Sequence, residues 1–166
     1  NTINILETTT TASASVITQA MMNAISAASG FKIAGADLAA FVSSLYDMGV
    51  GAREAGTMFS RMASYVTTRI DDLADFTGLS VAEIRKAFDQ DFVGGLLGVL
   101  HAIGDIQSES EQMAVATEIF GMRAARGVIL LANQYDDVLI PTLERARKEF
   151  ESGNSIINEY TKAMSS

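Results

Sequence analysis

The chain has no cysteine and no tryptophan, one histidine and one proline among its 166 residues. Without thiols it forms no disulfide, holds no thiolate-bound metal and has no cysteine nucleophile. A single His101 leaves no multi-histidine metal site. Positive charge is also scarce. Twelve Lys and Arg face twenty Asp and Glu, a formal charge of -8, which repels a phosphate backbone, so direct nucleic-acid binding is not expected. The richest apolar runs, 92–100 and 128–132, fall short of the roughly 20 residues that cross a bilayer and read as buried helix. The sequence opens at Asn1 with no basic, apolar and small-residue series of a signal peptide, and it reads as a piece of a longer chain.

What is present is apolar and lightly charged. Hydrophobic residues make up 48%, which excludes disorder across the whole chain. Charged residues make up 19%, below the roughly 25% of ordinary domains, which suggests surface covered by partners. Residues 8–31 carry no charge at all, yet their Thr, Ser, Gln19 and Asn23 suit packing against protein better than against lipid.

Apolar spacings of three and four recur throughout and strand-like runs are scarce, so the chain reads as all-α: a compact domain of about seven to nine short helices with a longer heptad-patterned helix at its C-terminal end. Residues 1–12 read as an extended leader, 13–135 as a helical globular module and 136–166 as the C-terminal helix. Val16 or Ile17, Ala20, Met21, Ala24, Ile25 and Ala28 form the first stripe, stopped by Gly30. Asp37 can begin a second helix that buries Leu38, Phe41, Val42 and Leu45, before Gly49 and Gly51. The third buries Ala55, Met58, Phe59, Met62 and Val66, with Arg53, Glu54 and Arg61 on its other side. Leu73 and Ala74 face inward in a short segment that stops at Gly78. Ser80 and Glu83 then form a capping box ahead of Val81, Ile84 and Phe88.

From Phe92 to Ile103 apolar residues cover more than one face, which predicts a central helix. Gly94, Gly95 and Gly98 lie within it. Each glycine costs about 1 kcal/mol in a helix interior, and close helix–helix packing at these three positions is the expected compensation. Ser108 or Ser110 can cap the next helix, with Met113, Ala116, Ile119 and Phe120 inward and Gly121 at its end; another helix follows to about Tyr135. Pro141 suits the first turn of the last helix, behind Asp136 and Asp137. There Leu139, Leu143, Ala146, Phe150, Gly153, Ile157, Tyr160 and Met164 alternate in steps of four and three. That row is an oligomer seam if the helix enters a coiled coil, and a buried stripe if the helix lies on the domain.

An enzyme needs converging titratable groups. Asp71, Asp72 and Asp75, and Asp89 with Asp91, are the candidates for a carboxylate pair or a divalent-metal site, but acids collect at helix starts and turns anyway. His101, between apolar turns, reads as a partly buried packing residue. Arg123 and Arg126 read as solvated or paired with acids. The glycines build no phosphate loop, since no Gly-Lys-Ser or Gly-Lys-Thr follows them. No catalytic, cofactor-binding or metal-ligating residue, and no cofactor, is therefore expected.

The order of segments carries a resemblance. Leu38-Ala39-Ala40-Phe41-Val42-Ser43-Ser44-Leu45-Tyr46-Asp47-Met48-Gly49-Val50, then Ala52-Arg53-Glu54-Ala55-Gly56-Thr57 and Phe59-Ser60-Arg61-Met62, resembles the core region of phage tail tape measure proteins. Leu73-Ala74-Asp75-Phe76 and Gly78-Leu79-Ser80-Val81-Ala82-Glu83-Ile84-Arg85-Lys86-Ala87-Phe88 look like that family's next unit. Gly95-Leu96-Leu97, Leu100 and Ile119-Phe120-Gly121-Met122-Arg123-Ala124-Ala125-Arg126 follow in the family's order. The resemblance covers roughly residues 15 to 165; Gly153 and the uncharged leader depart from it.

It implies a structural virion protein of the tail tube lumen or tail tip, in the host cytoplasm during assembly, which sets tail length and leaves the tube when DNA is delivered. Its implied partners are the tail tube protein, tail tip or baseplate proteins, tail assembly chaperones and further copies of itself, few in number, such as a trimer, with host-membrane contact at ejection. A continuous helix of 166 residues would span about 250 Å, whereas a compact domain of that size has a radius of gyration near 15 Å. The glycine-punctuated pattern predicts the compact form, a folded module within the tape. Two other expectations compete: a membrane-active helical module, from the charge-free stretch and the 92–103 helix, and a peptidoglycan hydrolase working through Asp89 or Asp91.

Overall fold

The computed structural model describes residues 33–151. Among them there are eight helices and no strand. We number them α1 (Gly35–Asp47), α2 (Ala52–Thr68), α3 (Ile70–Thr77), α4 (Val81–Gln90), α5 (Phe92–Gly104), α6 (Glu109–Phe120) and α7 (Met122–Asn133). The last, α8, opens with a π-helical turn, Tyr135–Leu139, and continues as α-helix over 140–151. The all-α expectation is met. The leader, the first stripe around Met21, and Gly153, Ile157, Tyr160 and Met164 lie outside the described residues.

Local chemistry explains most boundaries. The Ser80 hydroxyl accepts the Glu83 amide at 3.1 Å, and the Ser80 amide donates to Glu83 Oε1 at 3.2 Å, so the expected capping box opens α4. Ser80→Ala should lower stability by about 1 kcal/mol, read from the urea midpoint at unchanged slope. An unchanged midpoint would show that the cap contributes nothing. Of the two serines considered ahead of α6, Ser108 is the cap, accepting the Glu111 amide at 3.3 Å. Gly121 is the whole connection between α6 and α7. Asp37, expected to start α1, caps nothing; the helix begins two residues earlier, and Asp37 is bonded elsewhere.

Packing centres on α7, which meets α1, α2, α5, α6 and the π turn. Its Ala124, Ala125, Gly127 and Ala132 are short, so neighbours come close. At Gly127 a β-carbon would stand 2.8 Å from Met58 Sδ and 3.4 Å from Leu45 Cδ2, where α1, α2 and α7 converge. Phe41 of α1 packs on Phe59 of α2, ring centroids 4.8 Å apart.

Two expectations about burial are corrected. The sequence pattern makes α5 central, but the helix enclosed on every side is α1, where residues 36–45 are all buried, Ser43, Ser44 and Asp37 included. Its alanines and serines let neighbours close in all round. One side of α5 instead stays open at Gly98 and His101. In α6 the buried row is Gln112, Ala116, Ile119 and Phe120, while Met113 is 46% exposed. Gln112 turns inward because its amide donates to the Ile103 carbonyl at 3.0 Å and to Asn133 Oδ1 at 2.8 Å, tying α6 to the ends of α5 and α7. Pro141 lies in the first turn of the α-helical stretch that begins at Ile140, as expected, and a π turn over Tyr135–Leu139 precedes it. The wider π turn ahead of it accommodates a residue that brings no amide hydrogen.

Candidate functional site

The terminal helix carries the residues read as an oligomer seam. Leu139, Leu143 and Ala146 are buried within the chain's own hydrophobic core, so the stripe is used inside the domain at these positions. The core therefore continues past residue 135, across the start of the 136–166 segment. Further along, Arg147 Nε donates to Asp37 Oδ1 at 2.6 Å, which fastens α8 to the first turn of α1. That bond raises the Arg147 pKa above its ordinary value; burial opposes it, and the charges of Asp37 and Asp91 add to it. Phe150 lies against Gly35 yet remains 39% exposed. The apolar row thus passes from core to surface, with α8 antiparallel to the start of α1.

The three glycines of α5 have different surroundings. A β-carbon on Gly94 would collide with the Asp91 carboxylate, which caps α5 by accepting the Gly94 amide at 3.0 Å. One on Gly95 would stand 2.9 Å from the Phe88 ring, so α4 crosses α5 closely there. At Gly98 no described residue comes within 4 Å of a β-carbon position. All three border an apolar cleft of about 310 Å³ between α5 and the α3–α4 pair, walled by Leu73, Ile84, Phe88 and Val99 with Leu79 at its edge. The α3–α4 side is thin: Leu73 is the buried residue of α3, and Ile84 and Phe88 are those of α4.

The titratable candidates are dispersed. Asp71 and Asp72 occupy the first turn of α3 and Asp91 is a helix cap, as helix-start chemistry dictates. Among the described residues no three His, Asp or Glu side chains are grouped to hold a metal. His101, read as a packing residue, has a side chain 55% exposed. It lies 3.7 Å from Asp105 and edge-on to Tyr135 at 5.1 Å between centroids. These groups border a polar hollow of about 220 Å³ with Asn133, Asp136 and Asp137. Burial, then the Asp136 charge, raises the Tyr135 pKa. Arg126 sits 3.8 Å from Glu54, both largely exposed, a pair worth at most about 1 kcal/mol.

Two features escaped the sequence reading: the Arg147–Asp37 clasp and the Gln112–Asn133 amide pair. Their partners are 110 and 21 residues apart. The one hint was a lone acid in the otherwise uncharged run 33–46. Among the described residues no helix is long and apolar enough to cross a membrane. No family model, curated protein or solved structure matches the chain.

Proposed function

We propose that this domain is a folded module of a phage tail tape measure protein: a structural, non-enzymatic component of the tail that helps set its length and leaves with the tape at DNA delivery. The observation that carries this reading is the order of the amphipathic segments from Leu38 to Arg126, which resembles the core region of that family. Two features of the fold support it. The described residues form helices and no strand, and the terminal helix brings an apolar row out of the core to an exposed Phe150; in the sequence the same four-and-three spacing runs on to Ile157, Tyr160 and Met164. Partners of this reading are the tail tube and tip proteins, assembly chaperones and a few further copies of the chain.

The test is made on particles. Peptides of this chain should be found in purified tails, and an in-frame deletion of about 35 residues from an adjoining helical stretch of the tape should shorten tails by about 50 Å, at 1.5 Å per residue. Tails of unchanged length reject the ruler role. Release of dye from lipid vesicles by the chain at low concentration would favour the membrane-active alternative, which rests on the charge-free residues 8–31.

A further inference from the structure

We propose that the Arg147–Asp37 bond is a register lock. It selects the one axial position of α8 along α1 at which a cation meets the buried carboxylate, and the glutamates one turn away on either side bar the neighbouring positions. The inference does not depend on the tape-measure reading.

An apolar row in steps of four and three defines which face of α8 turns inward but leaves its offset along the axis open. Sliding α8 by three residues toward its C-terminal end, about 4.5 Å, would bring Leu143 to the place of Ala146 and Ala146 to that of Phe150. Sliding it the other way by four, about 6 Å, would bring Phe150 to the place of Ala146. In both cases an apolar residue replaces an apolar one, and only size differs. The root of the helix can yield to such movement, since Tyr135–Leu139 is π-helical and Pro141 behind it brings no amide hydrogen.

Charge does not tolerate the slide. The residue that follows each member of the row alternates in sign: Glu144 after Leu143, Arg147 after Ala146, Glu151 after Phe150. In the observed position Arg147 Nε stands 2.6 Å from Asp37 Oδ1, and the Asp37 side chain is only 11% exposed. After either slide a glutamate takes that place. Two carboxylates would then face each other where little water is left to separate them, and a buried carboxylate stripped of its partner is strongly destabilising. In the observed position Glu144 and Glu151 are both exposed, so neither is opposed.

Asp37 is also the one charged residue in 33–46, so α1 offers a single point at which the sign of charge is read. A lone polar or ionic contact in a repetitive helix pairing is well suited to fixing register. Here it decides that Phe150, seated against Gly35, is the residue with which the apolar row leaves the core.

The test reads the offset by NMR on the full chain, from the contact between the Phe150 ring and the Gly35 α-protons; the ring lies 3.5 Å from where a Gly35 β-carbon would stand. Glu144→Arg alters an exposed position, a change that is ordinarily close to neutral. It supplies a second cation one turn back, so a second set of signals, with the Ala146 methyl against Gly35, should appear beside the first. Glu144→Gln should leave the first set alone. Independently, the charge swap Asp37→Arg with Arg147→Glu makes residues 144, 147 and 151 equally good partners, so it should populate more than one offset instead of restoring one. A Glu144→Arg chain that shows only the Phe150–Gly35 contact would overturn the proposal. So would a swapped chain that keeps that single contact as the unaltered chain does, because packing and not charge would then set the offset.

Discussion

Phe59→Ala should lower the stability of the domain by about 3–5 kcal/mol, the range for removing a fully buried aromatic ring. Phe59 has no exposed surface, and its ring lies 4.8 Å from that of Phe41, at the contact of α2 with the enclosed helix α1. The lost ring cannot be replaced by a small shift, because α1 also packs against α7 and the π turn and is tied to α8 by the Arg147–Asp37 bond. At roughly 2–4 °C per kcal/mol for a chain of this size, the melting temperature should fall by about 6–20 °C. Urea unfolding followed by circular dichroism measures it directly. A loss under about 1 kcal/mol would mean that the ring is not where the packing puts it.

Gly121→Ala should cost about 1–3 kcal/mol from backbone strain alone, with a steric part added. Gly121 has φ 83° and ψ 157°, a region open to glycine and closed to residues with a β-carbon. It is also the single residue that turns the chain from α6 into α7, so the strain cannot be shared with a longer loop. A β-carbon there would stand 3.1 Å from Tyr65 Cε2. Tyr65 in turn faces the Arg69 guanidinium, which donates to the Glu118 carbonyl at 2.7 Å. Adding Gly121→Ala to a Tyr65→Ala background separates the two parts. The steric share should disappear and the strain should remain; if the whole penalty vanishes, the conformational account is wrong.

Where sequence reading succeeded, the physics was local. The Ser80–Glu83 box, the helix end at Gly121 and the buried row of α2 depend on side chains within four residues of each other. Where it missed, a distant partner had decided. Met113 and Gln112 are one residue apart, and hydrophobicity alone points Met113 inward. The Ile103 carbonyl and Asn133 reverse that choice by giving the glutamine partners that water would otherwise supply. The enclosure of α1 was hinted at by a run free of charge except for Asp37, yet its small side chains read equally well as one buried face.

The same division holds for the candidate surfaces. Composition, the absent cysteine and the spacing of apolar residues were enough to establish an all-helical chain and the heptad row from Leu139 onward, since helix formation and amphipathicity depend on neighbours in sequence. Which seam residues are used inside the domain, and which α5 glycine meets a neighbour, depended on helices brought together from far along the chain. Only the folded structure places Leu139, Leu143 and Ala146 in the core, leaves Phe150 at the surface and opens Gly98 onto an apolar cleft. Burial is a property of three-dimensional packing, and a repeat along one helix specifies the stripe without specifying what covers it.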